Sequence, residues 1–329
     1  MEHPAETWNQ RKNPPRKRRH KSAEEPKVAQ LTYSIVARDE KTGEMGVAVQ
    51  SHYFSVGSVV TWARAGVGAV ATQSMTEISY GPLGLELMGS GKSAPDALEA
   101  LLRADKKPES RQVAMVDAKG RVAAHTGGKC IPFAGHALGD NFSCQGNIMR
   151  SEKVWTSMRD SFLRNGDLPF AERLVAALEA GEGAGGDIRG KQSAALLVVS
   201  ADISPSYWSG KSIDLRVEDH PEPVPELKRL LQYQRGYDWV SKGDDFLSSA
   251  NYSDALAAYQ NALNLVPEMD ELKYWVGISL LATDKKERGL KMVKEVFDKD
   301  RNWIQVTRGL LQIRSPPIDP ALVEELMRR

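Results

Sequence analysis

Cysteine is almost absent: Cys130 and Cys144 are the only two among 329 residues. That excludes a disulfide framework and leaves two free thiols, expected to be buried. Long apolar runs are missing as well. No stretch approaches the roughly 20 apolar residues of a membrane span, and the first 30 residues lack the apolar core of a secretory signal. Neither sign of charge dominates; the net charge of +1 predicts no general attraction to nucleic acid or membranes. A cytoplasmic protein is expected. Also absent are a Gly-x-Ser-x-Gly elbow and a His-Glu-x-x-His pair. The Gly181–Gly186 run follows a helical pattern and lacks the spacing of a phosphate loop, so it is read as a mobile loop. His125, Cys130, His136 and Cys144 lack the paired spacing of a zinc site. No metal and no cofactor are expected.

What remains is an ordinary globular composition, 41% hydrophobic and 26% charged, long enough for two domains. Residues 1–30 are polar and proline-containing, with a basic run from Arg11 to Lys21. They read as a disordered, solvated tail, with nucleic-acid binding as the alternative. From Thr32 the pattern changes. Thr32–Asp39 and Met45–Ser51 are β-rich and flank a glycine-containing turn, which predicts an antiparallel hairpin. Val56–Ala63 and Val67–Gln73 read as further strands buried on both faces. Helices are expected from Pro82 and from the N-cap Ser93. Strands follow at Gln112–Asp117, Val122–Thr126 and Asn141–Ile148. Ser151–Arg164 and Phe170–Ala180 read as helices, Ala194–Ser200 and Ser212–Val217 as strands, and Glu222–Gln232 as a closing helix. Interleaved strand and helix blocks with hairpin-like connections predict a layered α+β domain over 31–233, not a doubly wound nucleotide fold.

Residues 234–329 turn helical with a period. Trp239, Gly243, Phe246, Ala255, Tyr259, Ala262 and Pro267 fall at tetratricopeptide spacings, and Gly277, Gly289, Val293 and Val296 form a more degenerate second unit. Trp303–Ile313 and Ala321–Arg328 are expected as capping helices. Such a TPR-like region offers a surface for a protein partner or for self-association, and a homo-oligomer is expected.

Polar residues gather at the predicted strand ends. Gln50, Ser51 and His52 close one strand, Gln73 and Ser74 another, and His125 lies at the end of a third; Asn147 lies within the strand that follows, and Asp187 and Arg189 flank the late glycine-rich run. Amides and hydroxyls there suit acyl transfer, because they can donate to a developing oxyanion. A threonine opening a strand is unremarkable unless the chain is cut before it. The freed α-amine could then take the hydroxyl proton, making Thr32 both nucleophile and base.

TYSIVARD at Thr32–Asp39, GVAVQS at Gly46–Ser51, ARAGVGAVATQS at Ala63–Ser74 and YGPLGLELM at Tyr80–Met88 together resemble one family. HTG at His125–Gly127, FSCQGNIM at Phe142–Met149, GGDIRGKQSAALLVV at Gly185–Val199 and IDLRVEDHPEPVPELKRLL at Ile213–Leu231 extend the likeness. The family is the domain of unknown function (DUF) family 1028. The resemblance implies the four-layer αββα sandwich of the N-terminal-nucleophile (Ntn) hydrolases; the basic tail and the small all-α TPR-type region lie outside it. The resemblance implies Thr32 as the nucleophile; the amides of Gln73 and Asn147 are then expected to hold the oxyanion. His52, His125, Asp187 and Arg189 would contact a small amide, ureide or peptide-like substrate. The chain departs from the family pattern in the 31 residues ahead of Thr32, so that reading requires cleavage after Leu31. The alternative is a non-catalytic scaffold that works through its helical tail.

Overall fold

The computed structural model describes residues 32–313 apart from Pro205, Tyr207 and Ala282, together with Ala321, Glu324 and Leu326. The tail expected over 1–30, the Leu31 side of the cleavage site and most of the helix expected at 321–328 lie outside the described residues. β1 (Thr32–Arg38) and β2 (Met45–Ser51) form the expected hairpin. Asp39 Oδ1 accepts the amides of Lys41 and Thr42 at 2.9 and 2.8 Å, and Gly43 supplies the positive φ of 75° that closes the turn. There follow α1 (Gly57–Val60), β3 (Thr61–Arg64), β4 (Gly68–Ser74), α2 (Tyr80–Gly89), α3 (Ala94–Ala104), β5 (Arg111–Asp117) and β6 (Val122–Thr126). Next come β7 (Gly135–Gly139), β8 (Phe142–Gly146), α4 (Lys153–Arg164), α5 (Phe170–Gly183), β9 (Ser193–Val199) and β10 (Lys211–Val217). The helices α6 (Pro223–Ser248), α7 (Tyr252–Leu265), α8 (Asp270–Leu280), α9 (Lys286–Lys299) and α10 (Asn302–Ile313) complete the order.

The strands form two sheets, β10-β9-β2-β1-β8-β7 and β3-β4-β5-β6, with every pairing antiparallel. Side-chain alternation sorts each central strand onto two cores. In β1, Tyr33, Ile35 and Ala37 pack under α4, α5 and the first half of α6. Val36, with Met45, Val47 and Val49 of β2, meets Ala69, Ala71, Ala114 and Val116 of the other sheet. Val70, Val113 and Met115 face α2 and α3 in a third core. Strands apolar on both faces are what burial between a helix layer and a second sheet demands. The Ser93 cap is present as a capping box, with its Oγ accepting the Asp96 amide at 3.1 Å.

Three local expectations need correction. Val56–Ala63 is not one strand: α1 comes first, because Ser58 Oγ bonds Ser55 O at 2.7 Å and Thr61 Oγ1 bonds Gly57 O at 2.8 Å, which winds the segment before β3. Gly181–Gly183 is the last turn of α5, not loop; Gly181 fits against Met158 and Tyr33 where a side chain would collide. The break comes at Gly185 and Gly186, both at positive φ. β7 was not foreseen, since GHALG carries little strand signal and owes its form to pairing with β8.

The boundary drawn between 233 and 234 falls inside α6, a single helix of 26 residues. Its first half buries Val224, Leu227 and Leu231 against the sheet, and its second half presents Gly236, Val240 and Gly243 to the helices that follow. Arg235 joins it to Glu172 of α5 at 2.9 Å. α7 packs on α6 and α9 on α8. A Cβ on Gly243 would overlap the Tyr259 ring, and Gly277 and Gly289 face one another. Among the described residues no helix is long and apolar enough to cross a membrane.

Candidate functional site

Thr32 belongs to β1, the strand between β2 and β8, and is fully buried. Its side chain lies on the same strand face as Val36, between the sheets. Thr32 Oγ1 donates to Ser51 Oγ at 3.2 Å, its register partner on β2. The Thr32 carbonyl accepts three N–H groups: the Asn147 amide at 3.0 Å, Gln73 Nε2 at 3.2 Å and Asn147 Nδ2 at 3.4 Å. Three donors on one carbonyl fix the peptide plane that carries the Thr32 side chain.

Those donors are held in turn. Gln73 Nε2 and Asn147 Nδ2 both donate to Gln112 Oε1, at 2.7 and 2.8 Å. Gln112 Nε2 faces the Gly146 carbonyl at 2.8 Å, Thr126 Oγ1 at 3.0 Å and the Gly135 carbonyl at 3.1 Å. Ser34 Oγ donates to Gln73 Oε1 at 2.7 Å and accepts from Gln145 Nε2 at 2.6 Å. Ser34, Gln73, Gln112, Gln145 and Asn147 are all fully buried. The result is an uncharged network that stitches β1 and β8 of one sheet to β4 and β5 of the other. Ser74 and Ile148, each directly after an amide that holds Thr32, sit at positive φ of 71° and 55°. For a β-branched residue such as Ile148 this is costly, of the order of 1–3 kcal/mol, and it persists only where the surroundings impose it.

Asp187, Arg189 and His52 form a second group at the same end. Asp187 is buried and accepts from the Arg189 amide, Nε and Nη2 at 2.9, 3.1 and 2.7 Å, and from the His52 amide at 3.2 Å. An isolated bridge pairs Asp187 with Met149, two residues beyond Asn147. The His52 ring is exposed, with Nδ1 3.3 Å from the Lys191 carbonyl. His125 does not join either group. On β6 it is Thr126 that points between the sheets, so His125 faces the α2–α3 side, its Nε2 2.9 Å from the Pro108 carbonyl. The histidine linked to the network is His136, whose Nδ1 lies 2.9 Å from Thr126 Oγ1. Burial, aided by His125, holds His136 below its ordinary 6.5. Burial also pushes both Cys130 and Cys144 up, so neither is a ready thiolate. Among the described residues no cluster of three metal-ligating side chains occurs.

Gln112 and Ser34 were missed in the sequence reading. Their signal is faint but real: each is an uncharged polar residue next to a run of buried apolar ones, and the strand alternation puts both on the inter-sheet face.

Two facing antiparallel sheets with helices outside, extended by a helical C-terminal region, define a mixed α+β protein. The family model described as "Family of unknown function (DUF1028)" matches residues 32–227, and the chain belongs to that family. The crystal structure of protein SPO2555 from Silicibacter pomeroyi, assigned to the same family, is similar at 32% identity with a TM-score of 0.55. The likeness covers 61% of this chain and 88% of that one. Comparison with curated proteins finds no match.

Proposed function

We propose that the chain is an amidohydrolase of the N-terminal-nucleophile type, and that its paired sheets and flanking helices are the four-layer αββα sandwich of that class. One observation carries the reading. Thr32 lies on a central strand, with its hydroxyl between the sheets and its carbonyl held by three donors.

In the uncut chain the Thr32 nitrogen is an amide and cannot act as a base. The first step is therefore internal. Thr32 Oγ1 adds to the Leu31 carbonyl carbon, the C–N bond breaks as the acyl group moves to oxygen, and water hydrolyses the ester. This leaves a Leu31 carboxylate and a free Thr32 amine, of reference pKa about 7.7–8.0. The neutral amine then takes the Oγ1 proton as the oxygen attacks a substrate amide. The substrate amine leaves with that proton, and water cleaves the acyl ester. Gln73 and Asn147 spend both N–H bonds of their amides on the Thr32 carbonyl and on Gln112, so in this reading they position the nucleophile. Asp187, Arg189 and His52 are the rim against which a small amide, ureide or peptide-like substrate would lie.

A second reading is favoured by the close Gly243–Tyr259 and Gly277–Gly289 approaches, which fit tetratricopeptide packing: a scaffold that binds a protein partner through α6–α10. Intact mass of purified chain separates the two. A mature species beginning at Thr32 that turns over amides, with both properties lost in Thr32→Ala and kept in Thr32→Ser, supports the enzyme. A stable full-length chain inert across an amide panel removes it.

A further inference from the structure

Gln50 is fully buried, yet among the described residues neither its Nε2 nor its Oε1 has a hydrogen-bond partner. A carboxamide carries two N–H donors and two lone pairs, and burying them unpartnered forfeits the bonds that water would make. Buried polar groups are almost always partnered, so a whole unanswered amide calls for an explanation.

The register fixes where the amide points. Gln50 is paired with Tyr33 on one side and with Ala194 on the other. Tyr33 and Ala194 both belong to the core beneath α4–α6, so Gln50 faces the helices, across the sheet from Thr32. This is a separate place from the inter-sheet network. Beside it, the Tyr33 hydroxyl donates to Glu182 Oε2 of α5 at 2.8 Å. Lys191 lies 2.7 Å from Glu222, just ahead of α6, and 3.9 Å from Glu182, tying the two helix ends together over this part of the sheet. On the other side the row narrows to the small Ala194.

The donor and acceptor pattern selects the ligand. Nε2 needs an acceptor and Oε1 needs a donor, side by side in one plane. A carboxylate offers acceptors only, and it would meet a surplus of negative charge, since Glu182 and Glu222 share one lysine while Asp187 is matched by Arg189. An ammonium offers donors only. We propose that Gln50 is the reading group of a site for a small neutral molecule bearing a carboxamide or ureide, held between the six-stranded sheet and the ends of α5 and α6.

Acetamide and urea, titrated at millimolar concentration into the full ¹⁵N-labelled chain, test this. The Gln50 side-chain NH₂ resonances should shift saturably with either probe. Gln50→Met should abolish the saturable shifts that the probes cause in the backbone amides of its strand neighbours Tyr33 and Ala194, and N,N-dimethylacetamide, which accepts but cannot donate, should bind at least tenfold more weakly. An absent or non-saturating shift at Gln50, or equal response to the dimethyl compound, overturns the proposal. So does undiminished binding by Gln50→Met. If that variant does not fold, the acetamide against dimethylacetamide comparison on the wild-type Gln50 resonances decides alone.

Discussion

Replacing Gln112 by methionine keeps the side chain's length and removes every polar atom from the hub of the inter-sheet network. Five contacts go with it: two donated to Oε1 by Gln73 and Asn147, and three made by Nε2 to Gly146, Thr126 and Gly135. Gln73 and Asn147 each retain a bond to the Thr32 carbonyl, so their loss is partial. The Gly146 carbonyl sits in a buried strand and loses its closest partner in the hub. Charging two interior groups at about 1–3 kcal/mol each gives roughly 2–6 kcal/mol, and the change in shape adds less than about 1.5 kcal/mol. A destabilisation of about 3–4 kcal/mol is expected, a large share of a typical stability of about 5–15 kcal/mol. Urea unfolding followed by far-ultraviolet circular dichroism reads it directly. With a slope of about 2–3 kcal/mol/M, the midpoint should fall by about 1 M or more at unchanged slope. Gln112→Glu should not rescue, because a second acceptor would face the Gly146 and Gly135 carbonyls. A Gln112→Met protein within about 1 kcal/mol of wild type would refute the idea that these bonds join the sheets.

Two further outcomes follow from particular contacts. Gly243→Val should loosen α6 from α7 by about 1–3 kcal/mol, since any Cβ there meets the Tyr259 ring; hydrogen exchange should rise in α7 while β1 and β2 keep their protection. His136 stays neutral in the folded protein to a pH below its ordinary 6.5. The unfolded chain therefore binds a proton that the folded one refuses, and stability should decline as pH falls below about 6.5. His136→Gln should flatten that part of a stability–pH profile measured between pH 5 and 8; an unchanged slope would remove His136 as its source.

The hairpin, the helix starts and the doubly buried strands were legible in the sequence because each depends on near neighbours. Turn chemistry at Asp39 and Gly43, the Ser93 cap and unbroken Val–Ala runs act over a few residues. α1 and β7 were not legible, since one depends on hydroxyl bonds that wind Val56–Thr61 and the other on a partner strand. The site divides the same way. Thr32 and Gln73 announced themselves at strand ends and Asn147 by its place in a polar stretch, whereas Gln112 looked like any strand-opening polar residue. Its importance lies in bonds to Gln73 and Asn147, 39 and 35 residues away, which only the facing of two sheets creates. His125 shows the cost of reading position without parity: one step along β6 decides between the network and the outer helices.

The chemistry of that network carries the last consequence. Among the described residues the side chains bonded to Thr32 are those of Ser51, Gln73 and Asn147, none of which ionises near neutral pH. A serine-type triad would bring an imidazole to the hydroxyl, and its protonation would shut the reaction off in acid near pH 6 to 7. Here the nearest linked imidazole, His136, is reached only through Thr126 and Gln112. In the proposed mechanism the proton acceptor is therefore the freed Thr32 amine, and kcat/KM should rise once with pH. The midpoint should lie near the reference α-amine value of about 7.7–8.0, moved downward to the extent that burial disfavours the ammonium form. His136→Gln should leave that midpoint in place. A midpoint that moves with His136, or a second ionisation below pH 6, would transfer the role of base from the amine to a side chain, and with it the need for cleavage before Thr32.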